Sequence, residues 1–127
     1  MQVDRLGCDP IVCLGDLVDE GLHPTRTVAM LRERAIPTIR GNHDRWALAS
    51  GTDHAFRPLA DSVLAFLGTL PTSWSAVVDG VRVVAWRARP GSDMRGLYAD
   101  GARHELRAAL DEARADVLIV GHTHESM

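Results

Sequence analysis

Three glycines in this chain are each followed by side chains able to grip a cation: Gly15-Asp16, Gly41-Asn42-His43-Asp44 and Gly121-His122-Thr123-His124. Together Asp16, Asn42, His122 and His124 supply a carboxylate, an amide oxygen and two imidazoles. That mixed oxygen and nitrogen set suits Mn, Fe, Zn or Co rather than Ca or a thiolate site. His122 and His124 stand two apart behind an apolar run, not four apart on a helix as in metalloproteases. With strand geometry continued through them, their side chains leave opposite faces and serve two metals more naturally than one. Asp16 has two oxygens to bridge such a pair, and two metals about 4 Å apart suit in-line displacement at phosphorus. His43 can protonate a leaving alkoxide, with Asp44 fixing its tautomer or raising its basicity. Singly, each cluster has a structural reading: a turn dipeptide, an Asx-capped turn, a pair of surface-loop histidines. Taken singly, only Gly41-Asn42-His43-Asp44 resists that reading, and the three clusters in this order point to chemistry.

Chemistry of this kind needs elements that carry the three clusters to one place. Ile11-Val12-Cys13-Leu14, bounded by Pro10 and Gly15, reads as a buried strand. Val28, Leu31 and Ala35 share a face over Thr25 to Ala35, predicting a helix entered at His23-Pro24. Ile36 to Arg40 reads as a strand that ends at Gly41, its proline marking an edge or a first position. Leu59, Val63, Phe66 and Leu67 predict a helix over Leu59 to Leu67, stopped by Gly68. Ser75 to Val78 and Val81 to Trp86 flank Asp79-Gly80, the signature of a two-residue hairpin. Gly91 to Gly101 is loop-like, Ala102 to Ala113 is helical by spacing, and Val117 to Val120 reads as a last buried strand. The pattern is α/β. Its apolar strands run straight into the three polar clusters, and ligands in open α/β sheets bind beyond the carboxyl ends of strands.

Composition narrows the function classes. The 127 residues are one domain's worth, taken here as a single partial domain over 1–127. Fourteen Lys and Arg against 17 Asp and Glu give a net charge of −3. No basic field is present to draw a nucleic-acid duplex. No apolar run approaches the roughly 20 residues of a membrane span, and Asp4 and Arg5 interrupt any signal-peptide core. Cys8 and Cys13 read as free thiols, which fits a reducing, cytoplasmic setting.

Leu14-Gly15-Asp16-Leu17-Val18-Asp19, Arg40-Gly41-Asn42-His43-Asp44 and Val120-Gly121-His122-Thr123-His124 resemble the second, third and last motifs of the calcineurin-like metallophosphoesterases. The nearest flavour is the small bacterial phosphodiesterase group, and the likeness runs from about Val3 to the C-terminus. The resemblance implies a layered α/β sheet with helices on both faces. It implies hydrolysis of a small phosphate mono- or diester by a metal-bound hydroxide. Asp16 would bridge two divalent metals, Asn42 and His122 would bind one, and His124 the other. His43 would be the acid or a transition-state stabiliser, with Asp44 behind it.

The chain also departs from that family. No Asp-x-His precedes Asp16, and Val3 to Pro10 reads as the tail of a first helix and its loop. The domain is therefore expected to be truncated at both ends, since it stops three residues after His124. Met1 as an internal position of a longer protein is a second reading, which the upstream reading frame would settle. The fourth motif's histidine is Arg87 here, which has no lone pair for a metal. Its expected place is solvent, with a phosphate oxygen as the other option. Two metals in the intact family become one or none here. A degenerate relative that binds metal or phosphate weakly, or acts with a partner chain, is thus the alternative to an enzyme. A lost strand would also bare an apolar sheet edge, pointing to assembly with another copy.

Overall fold

Proline at the first helical position costs nothing, because that N–H has no intrahelical partner. Helix α1, Pro24–Glu33, starts in this way and turns Val28 and Leu31 into the core. The computed structural model describes residues 5–19 and 21–125. Arg5 and Leu6 are helical there, as a helix tail requires, whereas Val3 and Asp4 lie outside the described residues. Ala35, expected on the buried face of α1, instead lies beyond its end, exposed and left-handed at φ 50°.

Helix α2, Asn42–Ser50, was not foreseen from the spacing of apolar residues. Its signals are local. Gly41 is the N-cap, Asp44 at the third position returns its side chain to the Gly41 N–H at 2.9 Å, and Gly51 closes the helix at φ 74°. Asn42 and His43 therefore ride on the first turn of a helix rather than in a loop. Helix α3, Asp61–Thr69, runs through Gly68. It ends where Leu70 precedes Pro71, since a residue before proline is pushed to extended backbone, and Leu70 has ψ 129°.

Strands β1, Ser73–Val78, and β2, Val81–Trp86, form the expected hairpin. Asp79 and Gly80 both have positive φ, as a turn matched to strand twist demands. Helix α4, Arg103–Ala113, leads into β3, Val117–Val120, which pairs parallel to β2 and gives the order β1-β2-β3. Strand β3 is less buried than expected, with Val117 44% and Ile119 36% exposed. Alternate residues of a strand face opposite ways, and α4 covers the Leu118 side.

The segments over 11–14 and 36–40 do not build a ladder. They share one parallel bridge, Cys13 with Thr38, through Cys13 N–H to Pro37 O at 2.8 Å and Ile39 N–H to Cys13 O at 3.0 Å. Pro37 has no N–H to extend the pairing, and Gly15 turns the chain away at the other end. The run from Ile11 to Leu14 is consequently half-buried rather than fully buried, while Ile39 is fully buried. Cys8 and Cys13 are free thiols, and burial pushes the Cys13 thiol up from its usual value.

The core lies among α1, α2, α3 and the Leu17-Val18 segment, with Val63 and Leu67 wholly buried. Each such side chain contributes about 1.5–3 kcal/mol. Among the described residues no helix is long and apolar enough to cross a membrane. Leu67→Ala should lower unfolding stability by about 2–5 kcal/mol, read as a shifted urea midpoint with unchanged slope.

Candidate anion and metal site

Two polypeptide turns meet backbone to backbone at the ends of the 11–14 and 36–40 segments. Gly15, at φ 88°, has no room for a side chain because a Cβ would overlap the Gly41 amide. A Cβ on Gly41 would in turn overlap the Asp16 carboxylate. Asp44 locks this approach. Its Oδ2 accepts the N–H groups of Asp16 at 2.8 Å and Gly41 at 2.9 Å, and its Oδ1 accepts Leu17 N–H at 2.8 Å. The side chain is wholly buried, and that burial raises its pKa above the usual carboxylate value despite the three donors.

The carboxylate that orients His43 is Asp19, not Asp44. His43 Nδ1 lies 2.6 Å from Asp19 Oδ2, and the other Asp19 oxygen accepts the His54 N–H at 2.8 Å. Asp44 is spent on backbone, and Asp19 stands where the imidazole needs an acceptor. The clue in the sequence was slight: Asp19 is the second carboxylate of the Gly15-to-Asp19 run. His43 packs edge-on against Trp46, with centroids 5.0 Å apart, and its side chain is 27% exposed.

Arg87 overturns its expected place in solvent. It is 8% exposed, beyond the end of β2. Its Nη2 pairs with Asp16 Oδ2, and its Nε donates to Asn42 Oδ1 at 3.4 Å. Asp16 Oδ1 accepts the His43 N–H at 3.1 Å. The last motif reaches the same neighbourhood through its glycine, since Gly121 N–H donates to Arg87 O at 3.0 Å. A Cβ on Gly121 would stand 3.5 Å from Arg87 Nη1. The strand geometry expected to splay His122 and His124 stops at Val120. Both histidines have positive φ, with His122 half-buried and His124 exposed.

Asp16, Asn42, His43 and Arg87 are thus gathered on one rim, with Gly121 against Arg87. A divalent cation does not fit the arrangement. Asp16 Oδ2 and Asn42 Oδ1, the oxygens a metal would need, face a guanidinium that is already positive and offers no lone pair. Among the described residues, no three His, Cys, Asp or Glu side chains come together as a ligand set, and a catalytic metal normally takes about three.

Beside Arg87 opens a cavity of about 410 Å³, lined by Arg40, Arg45, Ser92, Asp93 and Trp86 among others. Arg45 binds Asp93 in a fork, Nε to Oδ2 at 2.6 Å and Nη2 to Oδ1 at 3.1 Å, tying α2 to the 91–101 loop. That fork holds the Asp93 carboxyl below its usual 3.8.

A sequence model of the calcineurin-like phosphoesterase family matches residues 2–126. Among solved structures, a hypothetical protein from Pyrococcus horikoshii OT3 is similar in fold, with TM-score 0.65 at 14% identity. The match covers 94% of this chain and 60% of that one, so the chain spans about three-fifths of its neighbour's length. No curated protein matches.

Two outcomes follow from the geometry. Gly41→Ala should cost at least about 2 kcal/mol in chemical denaturation, because the two turns must part to admit the methyl group. The Asp93 carboxyl is lowered in the folded state, so its stabilisation is present above 3.8 and lost as pH falls through the folded value. Asp93→Asn should therefore lose less stability than the wild type between about pH 5 and about pH 2, measured by urea unfolding across that range.

Proposed function

Because this chain belongs to the calcineurin-like phosphoesterases, we propose that its rim receives a small phosphate ester, which it binds without metal-dependent turnover. The observation that carries this reading is the Asp19–His43 pair at 2.6 Å. Asp19 accepts from Nδ1–H and orients the ring, and in the imidazolium form Nε2 also carries an N–H that can donate to a phosphate oxygen. A ring held in one orientation loses little freedom when a phosphate oxygen docks on it. Arg40, Arg45 and Arg87 line the adjoining cavity and favour an anion there. The family's divalent metals would supply the nucleophile and the charge for hydrolysis, but the donors of this site are committed elsewhere.

A second reading, metal-dependent hydrolysis of a phosphate mono- or diester, is favoured by the retention of Asp16, Asn42, His122 and His124 in family order. The ligand in both readings is a small ester rather than a nucleic-acid duplex, in keeping with the net charge of −3. Free Cys8 and Cys13 fit a reducing compartment such as the cytoplasm.

Calorimetry with phenyl phosphate in chelator-treated buffer tests the first reading. The wild type should bind, and His43→Ala should weaken binding by about tenfold or more, the usual worth of one charge-assisted hydrogen bond. Asp19→Asn should weaken it less, because the ring stays but loses the carboxylate that holds it. Hydrolysis of a chromogenic phosphodiester in Mn²⁺, abolished by both His43→Ala and Asn42→Ala, would replace this reading with the second.

A further inference from the structure

We propose that Arg87 is the resident cation of this site, a covalently attached positive charge standing where the family's chemistry employs a divalent metal. The proposal deepens the phosphate-ester reading by specifying what neutralises the site, and its first test is independent of phosphate. Four observations fix the guanidinium. Its backbone is pinned at the end of β2 by the Gly121 N–H at 3.0 Å. Its Nη2 pairs with Asp16 and its Nε reaches Asn42 Oδ1 at 3.4 Å. Gly121 packs against Nη1, which stands at ordinary contact distance, 3.5 Å, from where a Cβ would be. The residue is 8% exposed, so solvent does little to weaken the pair.

The other carboxylates nearby need no cation from solution. Asp44 is satisfied by three backbone N–H groups, and Asp19 by His43 and the His54 amide. Asp16 is the carboxylate that requires a positive partner, and Arg87 provides it. A dication entering here would have to expel a like charge held on three sides. The consequence is a site whose charge is set by the polypeptide and does not vary with metal supply. Arg87 still has N–H groups beyond those given to Asp16 and Asn42, and these suit the oxygens of a phosphate.

Arg87→His exchanges the fixed cation for a neutral imidazole, a metal ligand, and frees the oxygens of Asp16 and Asn42. The experiment is Mn²⁺ titration of the chelator-stripped chain, read by calorimetry and by water-proton relaxation. Arg87→His should bind Mn²⁺ at least tenfold more tightly than the wild type, and adding Asp16→Asn should remove the gain. Wild-type Mn²⁺ binding that Asp16→Asn abolishes would overturn the proposal. So would a folded Arg87→His chain that binds Mn²⁺ no better than the wild type.

If Arg87→His does not fold, thermal unfolding of Asp16→Asn, Arg87→Met and their double variant decides. A double variant melting above Arg87→Met alone supports the pairing, because the uncompensated Asp16 charge is then the fault; additive losses refute it. Phosphate binding is scored separately in chelator. Its absence alongside the expected metal result removes the phosphate-ester reading and leaves the assignment of Arg87 standing.

Discussion

The rim depends on one carboxylate. Asp44 is wholly buried and receives the N–H groups of Asp16, Leu17 and Gly41, drawing the turn after Leu14 against the start of α2. Without that staple Asp16 would have no reason to sit over His43, and the oxygens that Arg87 binds would not be neighbours. The arrangement is expensive in desolvation, which is why the Asp44 pKa is raised, and three hydrogen bonds offset the cost. It also dictates its surroundings. Backbones this close admit only glycine at positions 15 and 41.

Where order along the chain decides structure, the sequence was readable. The hairpin around Asp79-Gly80 and helices α1, α3 and α4 followed from periodicity and turn chemistry, because in each case one face packs and the other is wet, and strand β3 followed from its continuous apolar run. Helix α2 escaped because its informative residues are its caps, Gly41, Asp44 and Gly51, rather than an apolar stripe. Gly68 was misread because glycine in a helix is a cost of about 1 kcal/mol, not a prohibition, and Pro71 is the stronger stop.

The site was legible as a gathering of strand ends but not in its pairings. Which carboxylate meets His43 is set by the path of the 16–19 turn, where Asp16 and Asp19 both adopt positive φ. Spacing along the chain carries no such information, and it favoured Asp44, the direct neighbour of His43. The same limit applies to Arg87. An arginine after a strand is usually solvated, and only the convergence of two oxygens from separate turns makes burial tolerable. His122 and His124 follow a strand in sequence but leave its geometry at once, so the alternation of faces ceases to apply.

A guanidinium and a divalent metal do different work on a phosphate ester. Both attract its oxygens, and arginine does so with planar, directional donors. A metal in addition lowers the pKa of a coordinated water into the neutral range, creating a nucleophile. Arginine has no vacant orbital to hold a water, and its guanidinium stays protonated at neutral pH. Exchanging one for the other therefore preserves recognition and removes the step that makes hydroxide. The features retained in this chain sort along that line. On the proposed reading, the staple of Asp44, the His43 ring held by Asp19 and the arginine-lined cavity would all serve binding and orientation. Asp16 and Asn42, metal donors by the family resemblance, hold Arg87 here. On the reading proposed for this chain, a phosphoesterase scaffold that keeps its means of holding phosphate, and replaces its means of attacking it, would recognise the ester.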